Sequence, residues 1–187
     1  MYNPFPFDDP KPVNRPALSK ETINSIVAGG TPNVAKKFVA QIADRAKAEG
    51  MIVGIDGYTT ANWNLFVNLV ARECVINGLE LEVVDAAKAV LKSGKEIDDM
   101  IDPLLIWDTK IDPTLLYGKL YHGGYIGLFD QAKMEQFRKD VPAMKAPGKL
   151  VVVAGYGCMT AELRDLYDIK CWFDITPMKT MLRIRGG

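Results

Sequence analysis

Four short apolar runs stand out along the chain: "MIVGI" from Met51, "LELEVVD" from Leu79, "KLVVVAG" from Lys149 and "IKCWFDI" from Ile169. Each is four to seven residues of mostly apolar or β-branched character, the length and composition of a buried strand. Between them the apolar spacing changes to the helical period. "WNLFVNLVARECVING" places Leu65, Val67, Leu69, Val70 and Val75 mostly inward and closes on Asn77-Gly78. "DQAKMEQFRKDV", "TAELRDLYD" and "TPMKTMLRIR" read as three further helices. Short apolar strands alternating with helices predict an α/β fold, with a parallel sheet of about five strands and helices on both faces. Residues 86–128 read as two or three short helices separated by Asp-Pro and Gly-Gly breaks.

Ahead of the first strand the pattern differs. "MYNPFPFDDPKPVNRPALSK" is too rich in proline for a helix interior, so it is expected to be an extended arm, with Tyr2, Phe5 and Phe7 packing on the domain or on a partner. Ser19 is a plausible N-cap for a short helix through Val27, with Glu21 in its first turn. Gly29-Gly30 ends it. Thr31 then caps a longer helix with Pro32 at its first position and Val34, Phe38, Ile42 and Ala46 along one face. Gly50 ends that one. The expected organisation is an N-terminal helical arm over residues 1–50 and an α/β domain over 51–187.

Bulk composition narrows the partners. A chain of 187 residues with 48% hydrophobic and 25% charged residues suits one soluble domain with a sizeable core. Lys plus Arg and Asp plus Glu both number 23, which argues against a general electrostatic grip on nucleic acid or an anionic membrane. Cys74, Cys158 and Cys171 are odd in number and widely spaced, so buried thiols in a reducing cytosol are expected rather than a disulfide framework or a zinc cluster. No basic-then-apolar leader and no membrane-length apolar run is seen, and a cytoplasmic location is expected.

The candidate chemistry lies at strand ends, where open parallel sheets bind ligands. "MIVGIDGYTTANWNL" runs a strand through Gly54, Asp56 and Gly57 into a helix start. A glycine-bearing turn before a helix N-terminus points free N–H groups at an anion. Gly57, Tyr58, Thr59, Thr60, Ala61, Asn62, Trp63 and Asn64 are therefore the expected phosphate-binding residues. A nucleoside-triphosphate loop would continue Gly-Lys-Ser/Thr where this chain has Asn62, Trp63 and Asn64. Trp63 has two readings, a core residue or a ring that stacks on a ligand. Asp85 closes the second strand, either as a catalytic carboxylate or as a helix cap. Asp108 and Asp112 read as caps and turn formers. His122 is the single histidine, which leaves no multi-histidine metal site. Cys158 sits in "GYGCMT", a turn that needs its glycines for geometry whether or not the thiol is reactive.

The stretch "KLVVVAGYGCMTAELRDLYDIKCWFDITPMKTMLRIRGG" resembles the corresponding region of P-loop kinases of the uridine kinase and phosphoribulokinase group. The resemblance covers roughly Met51 to Gly187. It rests on Arg164, Asp165, Leu166, Asp168, Lys170 and Asp174, on Arg183 and Arg185 after them, and on "YGKLYHGGYIGLFD" in the middle. It implies a three-layer P-loop kinase-like fold. Asp85 would orient or deprotonate an acceptor hydroxyl, and Arg183 and Arg185 would be lid arginines closing over phosphates. Ala154 stands where a metal-associated glutamate is expected. ATP and Mg are the cofactors the resemblance implies, and the replaced loop Lys and Ser or Thr argue against both. The expectation is a degenerate domain that binds a nucleotide or other small phosphorylated ligand, or an accessory module of a larger, sugar-phosphate enzyme. The alternatives are an active small-molecule kinase that has relocated its lysine, with Lys110 and Lys119 as candidates, and a non-catalytic interaction domain. Kinases of this group continue past the lid, so part of the core is expected to be covered by a partner or another copy of the chain, or else, as the favoured expectation, the chain is the front portion of a longer polypeptide with a further C-terminal domain.

Overall fold

The computed structural model describes residues 19–21, 30–108, 110–111 and 118–186. The expected arm with Tyr2, Phe5 and Phe7, most of the short helix through Val27, and Asp112 lie outside the described residues. Within them the order is α1 (Thr31–Glu49), β1 (Met51–Gly57), α2 (Trp63–Asn77), β2 (Glu80–Asp85), α3 (Ala86–Val90), α4 (Gly94–Ile101), α5 (Gln131–Ala143), β3 (Lys149–Ala154), β4 (Ile169–Phe173) and α6 (Pro177–Gly186). All pairings within the sheet are parallel, and its order is β2-β3-β1-β4. The described residues hold four strands where about five were expected. β4 forms one edge of the sheet, and the chain leaves it into α6 rather than into another strand.

Side chains alternate across the sheet. Met51, Val53, Ile55, Leu150 and Val152 pack on one face beneath α1 and α2. Ile52, Val151 and Val153 pack on the other with α3, α5 and the segment between β3 and β4. β1 is buried along its whole length, as a central strand covered on both faces must be.

Expectations about three of the helices change. Thr31 is the first residue of α1 and not its cap; Gly30, which has no side chain to offer, holds the cap position, and Pro32 presets the first turn. The buried face of α1 is Ala35, Val39, Ile42, Ala43 and Ala46, so small residues let α1 lie close on the sheet while Val34 and Phe38 flank it. α2 buries Phe66, Val67, Val70 and Cys74, whereas Leu65 and Val75 face out. "TAELRDLYD" is not an α-helix. It forms turns and a three-residue 3₁₀ piece at Arg164–Leu166, with Leu163 and Tyr167 both in the core.

Asp168 fastens the entry to β4. Its N–H donates to Ile52 O at 2.9 Å, and its carboxylate accepts from Ile52 N at 2.8 Å and from Lys145 Nζ at 2.9 Å. Burial pushes this carboxyl up, but the Ile52 N–H and the Lys145 ammonium outweigh it and hold it below the ordinary range. A folded-state value below the unfolded one, about 3.9, gives stability that is present above that value and lost as pH falls through the folded value. The wild type should therefore be more stable than Asp168→Asn near neutral pH, with the gap closing as pH falls below about 4. Thermal melts from neutral pH into acid check this, and a gap that stays constant throughout would sink it.

Candidate functional site

The chain leaves β1 for β2 across the α1/α2 face and leaves β3 for β4 across the opposite face. Such a reversal opens a crevice at the carboxyl ends of the two strands where it occurs, here β1 and β3. The loops after them, residues 58–62 and 155–160, meet over it.

Asp56 joins the two loops. It is the sixth residue of a fully buried strand and is only 6% exposed. Its Oδ1 accepts from Gly57 N at 2.8 Å, and its Oδ2 accepts from Gly157 N at 3.1 Å and Met159 N at 3.0 Å. Gly157 is required here. Its φ of +90° lies in the left-handed region, and an added Cβ would sit 2.5 Å from the Tyr125 ring. Asp56 is not among the candidate site residues expected from the sequence. Its signal was available, since a carboxylate inside an otherwise apolar central strand must find buried donors.

The expected phosphate-binding residues run from the end of β1 through one loop into the first turn of α2, and four of their eight backbone donors are taken. Gly57 N–H goes to Asp56, Tyr58 N–H to Phe173 O at 2.8 Å, Thr60 N–H to the Tyr156 hydroxyl at 3.2 Å and Ala61 N–H to Tyr58 O at 2.9 Å. Asn62 caps α2, its side chain accepting from Leu65 N. Thr60 has φ +69°, an uncommon conformation for a β-branched residue. Its N–H is tied to Tyr156 and its carbonyl accepts from the Arg183 guanidinium, while Thr59 O accepts from the Thr180 hydroxyl at 3.5 Å. Trp63 is half-buried and meets Tyr156 edge-on, with ring centroids 4.8 Å apart at 78°. Asn64 is exposed on the first turn of α2.

The remaining candidates separate. Asp85 is the N-cap of α3, accepting from Lys88 N at 3.1 Å, and it borders a cleft of about 360 Å³ with Trp63 and Tyr156. Asp108 closes a turn by accepting from Lys110 N, as turn chemistry suggested. His122 is exposed, and Lys110 and Lys119 line none of the three clefts around the loop. Arg183 contacts the loop backbone; Arg185 is exposed on α6. Cys158 is fully buried, donates to Val153 O, and burial pushes its thiol up to about 12, which leaves no thiolate for nucleophilic work near neutral pH. Ala154 is buried at the end of β3, and among the described residues no cluster of His, Cys, Asp or Glu is arranged to hold a metal. No helix among the described residues is long and apolar enough to cross a membrane.

Three clefts surround the loop. One, of about 380 Å³, has Asp56 at its base and aromatic rings around it. The second, of about 340 Å³, lies between Ala61-Asn62 and α6 and carries Lys179 and Arg183 opposite Asp174. The third is the one that Asp85 borders.

Residues 35–187 match a family described as a domain of unknown function, DUF8485. The chain belongs to that family. No curated protein matches it. The family match spans α1 to α6, so the DUF8485 region takes in the helix before β1 as well as the sheet and both loops.

Proposed function

We propose that this DUF8485 chain is a P-loop kinase-like domain that no longer transfers phosphoryl groups and that binds a small phosphorylated ligand in the cleft between its loop and α6. The observation that carries the reading is the state of the loop. Where a transferring loop needs a lysine and a metal-binding hydroxyl, this one has Trp63 packed edge-on against Tyr156, followed by Asn64. The N–H groups of Gly57, Tyr58, Thr60 and Ala61 are held by the protein itself. Phosphoryl transfer depends on positioned charge, and neither loop residue supplies it. Of the three clefts only the one on the α6 side is lined by cationic side chains, Lys179 and Arg183, which share it with the start of α2. Lys179 is exposed there and Arg183 already leans on the loop. That pair and the helix N-terminus suit an anionic group of modest affinity.

The interaction-domain reading has one specific support. Met178, Met181 and Leu182 are exposed on α6 at helical spacing, 68%, 56% and 60% respectively.

Calorimetric titration separates these. ATP should show no binding that magnesium strengthens. Inorganic phosphate or a sugar phosphate should bind weakly, and Lys179→Ala should weaken that binding roughly tenfold. Micromolar ATP binding that magnesium tightens would mean a rebuilt kinase site. Phosphate silence in the wild type would leave the interaction reading.

A further inference from the structure

We propose that the aromatic cleft over Asp56 is a binding site for a small organic cation, a substituted ammonium group, distinct from the phosphate cleft at α6. Four rings line it, and they come from four different segments. Tyr58 is on the loop after β1, Tyr125 on the turn before α5, Tyr156 on the loop after β3 and Trp172 on β4. Tertiary structure alone brings them together, so no local sequence pattern shows the group. Trp172 pairs in register with Asp56 across the β1–β4 ladder, and in parallel strands such partners face the same side of the sheet.

Electrostatics chooses the class of ligand. No Lys or Arg lines the cleft, and its lining carries one ionisable carboxyl, that of Asp56. No cationic side chain among the described residues ion-pairs with Asp56. The three N–H donors fix the carboxylate in place but bring no net charge, so the base of the cleft remains negative. An anion entering here would meet that charge without a counter-charge. A neutral polyol could bond to the hydroxyls of the lining but would leave the charge of the Asp56 carboxylate unmatched. A cation is the ligand class that both the aromatic rings and the carboxylate of this lining attract, the combination that recognises alkylated ammonium groups. The size agrees: about 380 Å³ suits a compact ligand and is far from a polymer groove.

The rings remain partly open, which a ligand needs. Tyr58 is 47% exposed, Tyr125 40%, Tyr156 36% and Trp172 60%. Trp172 is exposed enough to be replaced without opening the core, so it is the position to test.

The experiment is calorimetric titration of the full chain with choline, with its neutral isostere 3,3-dimethylbutan-1-ol and with methyl glucoside. Choline should bind saturably, at least roughly tenfold more tightly than the isostere, since only the charge differs. Trp172→Leu should weaken choline roughly tenfold while leaving the melting temperature and phosphate binding unchanged. Equal binding of choline and the isostere would overturn the proposal in favour of a merely apolar pocket. Preference for methyl glucoside, or no choline binding at all, would overturn it as well. Because phosphate and choline are read on separate variants, failure here leaves the phosphate proposal standing, and the reverse holds too.

Discussion

Asp56→Ala should lower the free energy of unfolding by about 4 kcal/mol, the cost of leaving buried N–H groups without acceptors. The carboxylate is the shared acceptor for Gly57, Gly157 and Met159, and Asp56 is nearly inaccessible. Each unsatisfied buried donor costs about 1–3 kcal/mol, and some of that is recovered where water reaches the vacated space. The loss is larger than that of a typical surface change because one side chain closes two loops at once. Asp56→Asn keeps one acceptor oxygen but turns an NH₂ toward amide donors, so it should also destabilise by more than about 1 kcal/mol. Urea unfolding measures both. A loss under about 1 kcal/mol in Asp56→Ala would show that the 155–160 loop finds other acceptors and that Asp56 does not organise the crevice.

The alternating layers were legible because strand and helix periods are local properties. All four apolar runs are strands, and α5 begins one residue after its Asp130 cap. Details that depend on what packs where were not legible. Leu65 and Val75 are apolar yet exposed, because α2 turns Phe66, Val67, Val70 and Cys74 toward α1 and the sheet. The segment around Leu163 has helical composition, but its residues bridge two fixed points, the Asp56 contacts and the Asp168 clip to β1, and tertiary anchoring overrides propensity. The site was half visible. The loop from Gly57 to Asn64 could be found by its glycine and its position before a helix. Two of its occupied donors, on Tyr58 and Thr60, could not, since their acceptors lie over 90 residues away at Phe173 and Tyr156. Trp172 and Tyr125 gave no local signal at all, for the same reason.

Gly54 shows how a motif can carry a different cause from the one it suggests. Read along the chain, Gly54 and Gly57 resemble the glycines of a phosphate loop. In the fold Gly54 lies inside β1, away from the loop, and a Cβ placed on it would come 2.2 Å from Tyr167 Cδ2 and 2.6 Å from Cε2. Its role is to give that ring room against the sheet. The ring cannot easily retreat, because Asp168, the next residue, is bound to both the N–H and the carbonyl of Ile52. Gly54→Ala should therefore cost about 3 kcal/mol, at the upper end for overpacking by one methyl group. Tyr167→Leu should cost about 2–4 kcal/mol alone, through the volume it removes from the core. The double variant should be less destabilised than the sum of the two by at least about 1 kcal/mol, since the leucine vacates the space the new methyl needs. Denaturant unfolding of the four proteins closes the cycle. Strict additivity would mean that Gly54 is required for backbone reasons, and the contact with Tyr167 would then explain nothing about why glycine stands there.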